Sequence, residues 1–98
     1  MVCIIPAANA ESIDSLRGRF TFNWHNASDK VKCARVDDKL LSQFKSNAYS
    51  CNLEAVTNTA SGEPAMVCTR KTKGVEYLIF ATKKSCEAER QAQLANSE

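Results

Sequence analysis

Three observations predict the fold class of this chain of 98 residues. Segments such as "FTFNW" and "VEYLIFAT" are rich in the aromatic and β-branched residues typical of β-strands. Apolar spacing predicts a helix over about residues 37–46, and helix propensity predicts a second over about residues 83–95. Well-separated cysteines are typical of small cross-linked domains. The sequence therefore predicts a disulfide-stabilised α+β domain with a small, mostly antiparallel sheet of about four or five strands.

The first two strands precede the first helix. Alternation along "FTFNW" places Phe20, Phe22 and Trp24 on one face of a strand, and we expect this aromatic face to be core. The following "HNASD" is composed largely of residues that favour turns. The segment "KVKCARV" then predicts a short second strand.

The first helix is expected to begin after Asp37, whose carboxylate can accept hydrogen bonds from the free amides of the first turn. Leu40, Leu41 and Phe44 recur at helical spacing and predict a buried stripe. Asn47 is a residue type that commonly ends helices. A helix this short must be stabilised by packing.

The next three strands are predicted at "CNLEAVT", "AMVCTR" and "VEYLIFAT". The last two are joined by "KTKG", which indicates a hairpin with Gly74 at a positive-φ position. A register that pairs Arg70 with Val75 would set Cys68 beside Tyr77. The final helix can be capped by Thr82 or Ser85, and it has little apolar surface of its own.

The N-terminal residues differ from the rest of the chain. Residues 2–8 are uncharged and mostly apolar, and Ala8-Asn9-Ala10 has the small-x-small pattern cut by signal peptidases. We interpret residues 1–10 as the remnant of a signal peptide and residues 11–98 as a single domain that is periplasmic or secreted. The alternative is that residues 2–5 form an ordinary first strand that Pro6 interrupts.

Removal of residues 1–10 would take Cys3 with it and leave Cys33, Cys51, Cys68 and Cys86. No closely spaced cysteine pair and only one histidine are present, which argues against a zinc site or a thioredoxin-like centre. Two structural disulfides are the better interpretation, and three connectivities are open. We favour Cys33 with Cys51 and Cys68 with Cys86, because each bond would bracket one local unit. The alternative is a set of free thiols.

The composition excludes several functional classes. A formal net charge of +2 provides no strong field for a nucleic-acid partner, and no apolar run is long enough to span a membrane. The chain has neither a nucleophile elbow nor a glycine-rich phosphate loop. We therefore expect a protein that is not an enzyme and requires no cofactor or metal.

The remaining expectation is a binding function. We predict a small exported binding protein, an inhibitor or immunity-type factor that acts on another protein. A binder of an anionic polymer, which would use the basic region from Arg70 to Lys84, is one alternative. A thiol-active or metal-binding protein is a second. The candidate binding residues are Trp24, His25, Arg70, Lys71, Lys73, Lys83 and Lys84.

Overall fold

The computed structural model describes residues 13–26, 31–72 and 74–96. Residues 1–10, the predicted signal remnant, lie outside the described residues, as does Lys73. The described part of the chain forms five strands and two helices. The strands are β1 (Phe20–Asn23), β2 (Ala34–Arg35), β3 (Tyr49–Val56), β4 (Ala65–Arg70) and β5 (Glu76–Phe80), and the helices are α1 (Asp38–Lys45) and α2 (Lys83–Asn96). The predicted α+β class is confirmed.

The strands form one antiparallel sheet in the order β2-β1-β5-β4-β3. The β4–β5 hairpin has the predicted register, because the Arg70 amide donates to the Val75 carbonyl at 3.1 Å and Cys68 lies opposite Tyr77. Strand β1 pairs with β5, with Phe22 opposite Leu78. Strands far apart in sequence are therefore neighbours at the centre of the sheet.

Helix α1 covers one face of the sheet, here called the α1 face. Asp37 caps the helix as predicted, since its Oδ1 accepts from the Leu40 amide at 2.9 Å. The helix ends at Lys45, and the amide of the C-cap residue Ser46 donates to the Gln43 carbonyl. The buried core on this face consists of Leu16, Val36, Leu41, Phe44, Cys68 and Ile79.

Helix α2 packs against the opposite face, here called the α2 face, and contacts β1 and β5. Its first turn is capped by Thr82, whose Oγ1 accepts from the Ser85 amide at 3.1 Å. Because side chains alternate along a strand, Leu78 and Phe80 of β5 point to this face and Ile79 points to the other. The buried core here consists of Phe22, Ala65, Leu78, Phe80 and Cys86.

Two disulfides cross-link the domain, but the favoured pairing was wrong. The bonds join Cys33 to Cys86 and Cys51 to Cys68. Cys33 lies beside the β2 edge of the sheet and Cys51 lies in β3 at the other edge, about 19 Å away at the usual strand spacing of ~4.8 Å. Cys68 points to the α1 face, whereas Cys86 lies in the core of the α2 face. The sheet therefore separates both of the expected pairs.

Strand β1 is shorter than the aromatic pattern predicts. It ends at Asn23, and Trp24–Asn26 form a turn of 3-10 helix. Trp24 nevertheless packs with Phe20 and Phe22 in the cluster on the α2 face, so the expected aromatic grouping is confirmed. Of the predicted second strand, only Ala34–Arg35 pairs with β1.

Candidate functional site

Four of the predicted binding residues lie at one end of the sheet, with Trp24 on the α2 face and Arg70, two residues after Cys68, on the α1 face. Because β1 runs antiparallel to β5, with Asn23 opposite Tyr77, the end of β1 lies beside the β4–β5 turn. Trp24 and His25 directly follow β1, while Arg70 ends β4 and Lys71 begins the turn. We call Trp24, His25, Arg70 and Lys71 the hairpin-end surface.

The Asn23 side chain joins the end of β1 to the hairpin. Its Oδ1 accepts from the Glu76 amide at 3.0 Å and from the His25 amide at 3.2 Å. Its Nδ2 donates to the Gly74 carbonyl at 3.3 Å. One amide group therefore satisfies backbone groups of both segments and fixes where the Trp24–His25 turn begins.

The Glu76 carboxylate orients the aromatic part of the surface. Trp24 Nε1 donates to Glu76 Oε1 at 2.6 Å, and Thr69 Oγ1 donates to Oε2 at 2.6 Å. The His25 ring stacks on the Trp24 ring, with centroids 4.1 Å apart. Hydrogen bonds to a charged acceptor are stronger than neutral ones, so the half-buried Trp24 is held firmly.

An open depression of about 400 Å³ lies next to this network. His25, Arg70, Lys71 and Glu76 contribute to its lining, and the His25 and Lys71 side chains are exposed. The Lys71 amide donates to the Ala48 carbonyl at 2.8 Å, which ties the turn to the start of β3. Basic side chains thus border this depression, and the turn beside it is hydrogen-bonded to Asn23 of β1 and to Ala48, which precedes β3.

The other two described basic residues lie elsewhere. Lys83 and Lys84 begin α2, after the far end of β5. The five residues of β5 separate them from the hairpin turn by about 17 Å at ~3.4 Å per residue. The structure therefore divides the predicted basic region between two ends of the sheet, and Lys73 falls outside the described residues.

The sequence did not single out Asn23, Thr69 or Glu76 as parts of this site. A signal for Glu76 was available, because it is a lone carboxylate in the apolar strand "EYLIF" and shares a face with Leu78. No comparable local signal marks Asn23 as part of the hairpin end, because its partners Gly74 and Glu76 lie more than fifty residues away in sequence.

A second buried carboxylate organises the connection between β3 and β4. Glu89 of α2 is fully buried and accepts from the Ser61 amide at 2.8 Å, the Ser61 hydroxyl at 2.7 Å, the Ala60 amide at 3.1 Å and Gln93 Nε2 at 2.7 Å. Burial raises the pKa of the Glu89 carboxyl, but the hydrogen bonds from Ser61, Gln93 and Ala60 outweigh it and bring the pKa below its ordinary value. Glu89 thus holds the connection against α2 as an anion.

Comparison with protein-family models, curated proteins and solved structures finds no match to this chain. Among the described residues, no group of three or more histidine, cysteine or acidic side chains is arranged to hold a metal ion. Neither α1 nor α2 is long and apolar enough to cross a membrane.

Proposed function

We propose that this chain is a small exported protein of the inhibitor or immunity type, which binds another protein through the hairpin-end surface and performs no catalysis. The observation that carries the proposal is the network around Glu76. It fixes the stacked Trp24–His25 pair, and His25 lines an open depression together with Lys71. Tryptophan and arginine are enriched where proteins bind one another, and side chains held rigidly before binding lose less entropy.

The two disulfides support the exported location. Structural disulfides form and persist in oxidising compartments and are rare in the cytosol. Both bonds join segments that are separate in sequence, by 53 residues for Cys33–Cys86 and by 17 for Cys51–Cys68. Bonds of this kind constrain the unfolded chain, which matters most in a domain with a thin core.

The charge of the surface indicates the chemistry of the partner. Lys71 is exposed and cationic, whereas the Glu76 carboxylate that also lines the depression already accepts from Trp24 and Thr69. An acidic segment of a partner would complement this end of the domain and would be steered towards it by charge. We therefore propose a protein partner that presents carboxylates.

Site-specific cross-linking tests this proposal. Thr72 is exposed and lines the depression, so a photo-crosslinking amino acid at position 72 should form a discrete adduct with the partner in the periplasm or medium of cells that make the protein. The same amino acid at Glu54, an exposed position on β3 away from the surface, is the matched control. Excess unlabelled protein should suppress the adduct.

An adduct of equal yield from positions 72 and 54 would contradict the proposal, as would an adduct that survives competition. The anionic-polymer alternative predicts a different result. Binding would fall steeply between low and moderate salt, because counterions compete with each phosphate or sulfate contact. It would also depend on Lys83 and Lys84 as strongly as on Lys71.

A further inference from the structure

A groove separate from the hairpin-end depression runs along the α2 face. It lies between α2 and the β3–β4 connection and has a volume of about 340 Å³. Val56, Val67 and Leu78 give it apolar walls, and Trp24 also lines it. This volume is near the lower end of the ~300–1,000 Å³ typical of small-ligand sites. The groove therefore suits one small group rather than a large ligand.

The groove is acidic although the whole chain is basic. Glu76 and Glu89 both line it, and the ten described residues of its lining include no lysine, arginine or histidine. The donors to these two carboxylates in the hydrogen bonds described above are neutral amides, hydroxyls and the Trp24 indole. Two negative charges in partly apolar surroundings favour a cationic occupant.

The two carboxylates differ in how many further hydrogen bonds they can accept. An ionised carboxylate offers about four acceptor positions. Glu89 receives four hydrogen bonds and is saturated, whereas from the described residues Glu76 receives only those from Trp24 and Thr69. Glu76 can therefore still accept a hydrogen bond from an N–H donor. Glu89 contributes only the electrostatic attraction of its negative charge for a cation.

We propose that this groove binds a primary alkylammonium, with the ammonium donating to Glu76 and its apolar stem against Val67 and Leu78. Trp24 adds an aromatic wall of the kind that attracts organic cations. The site selects the opposite charge from the proposed hairpin-end interface, although Trp24 belongs to both and Glu76 lines both depressions.

Fluorescence can test the site directly, because Trp24 is the only tryptophan in the chain. Titration with n-pentylammonium should give a saturable change in emission, and 1-pentanol, which has the same stem without the charge, should not. A capped lysine, Nα-acetyl-lysine methylamide, is the second probe. If the capped lysine binds as well as n-pentylammonium, the groove recognises an ammonium group, and we assign its ligand to a lysine side chain of another protein. If n-pentylammonium binds and the capped lysine does not, we assign the ligand to a free amine.

Two variants complete the experiment. Glu76→Gln should weaken ammonium binding about tenfold, the effect of losing one charge-assisted hydrogen bond of roughly 1.4 kcal/mol, and Glu54→Gln should not change it. Val67→Phe should block the groove while Glu76 stays intact. Circular dichroism checks that each variant is folded. The proposal is overturned if 1-pentanol binds equally well, if neither ammonium probe saturates, or if folded Glu76→Gln and Val67→Phe bind as the parent does.

Discussion

Cys51 lies directly opposite Cys68 in the β3–β4 pairing, and the two side chains form a disulfide in the core of the α1 face. The other disulfide joins Cys33 to Cys86 in the core of the α2 face. Each face of the sheet thus has its own cross-link. One bond joins neighbouring strands, and the other holds α2 to the segment that precedes β2.

Removing the two disulfides should have unequal effects on stability. In the chain-entropy model, a bond that closes 53 residues stabilises by about 4 kcal/mol, and one that closes 17 residues by about 3 kcal/mol. Cys33→Ala/Cys86→Ala should therefore lower the free energy of unfolding more than Cys51→Ala/Cys68→Ala. Urea denaturation without reductant measures both, and the reverse order would contradict the account.

Glu89→Gln should destabilise the protein by about 1–3 kcal/mol, because the amide nitrogen of glutamine faces backbone donors and leaves buried groups unpaired.

The pKa of Glu89 is lowered in the folded state, so its stabilising effect is present above its ordinary pKa of 4.5 and is lost as the pH falls towards the folded-state pKa. The parent should lose stability in this acidic range, and Glu89→Gln should lose less. Thermal unfolding between pH 3 and pH 7 measures the difference, with exposed Glu54→Gln as the control. Parallel pH profiles for the parent and Glu89→Gln would count against this role.

Asn23→Ala should loosen the hairpin end. The substitution removes bonds to the His25 and Glu76 amides and to the Gly74 carbonyl, at about 1 kcal/mol for each neutral hydrogen bond. Hydrogen exchange at the His25 and Glu76 amides should accelerate. Asn52→Ala is the matched control, since Asn52 is exposed and accepts only from the Glu54 amide among the bonds described here. Equal destabilisation by the two variants would argue against the proposed role of Asn23.

Lys71→Glu should weaken binding of the partner captured from position 72 by about tenfold, mainly through slower association, because reversing a charge at the rim opposes electrostatic steering. Lys84→Glu reverses another exposed charge, beyond the far end of β5, and should have little effect. Surface plasmon resonance at two salt concentrations provides the rates. Equal losses in both variants would favour the anionic-polymer alternative.

The elements set by local sequence were predictable. The Asp37 cap and the register around Gly74 depend on residues a few positions apart and were found as expected, and of the predicted stripe Leu41 and Phe44 are buried while Leu40 is partly buried. The sheet order was not predictable, because no local signal places β1 between β2 and β5. The disulfide pairing depends on that order, so it could not be derived either.

The candidate site was likewise only partly predictable from the sequence. Residue type alone identified Trp24, His25, Arg70 and Lys71 as binding candidates, and the long-range pairing of β1 with β5 is what brings them together. Glu76 and Glu89 were missed because a charged residue in a strand or helix normally points to water. The partners that link them to other parts of the fold, Trp24 for Glu76 and the 60–61 turn for Glu89, are distant in sequence.

Mass spectrometry of the native protein, recovered without reductant from the cells that make it, tests the central claim that this domain works as an oxidised exported protein. We predict a chain that begins at Glu11 and contains no free thiol. Its peptides should be linked through Cys33–Cys86 and Cys51–Cys68. A chain that retains residues 1–10 and carries reduced cysteines at these four positions would contradict the claim.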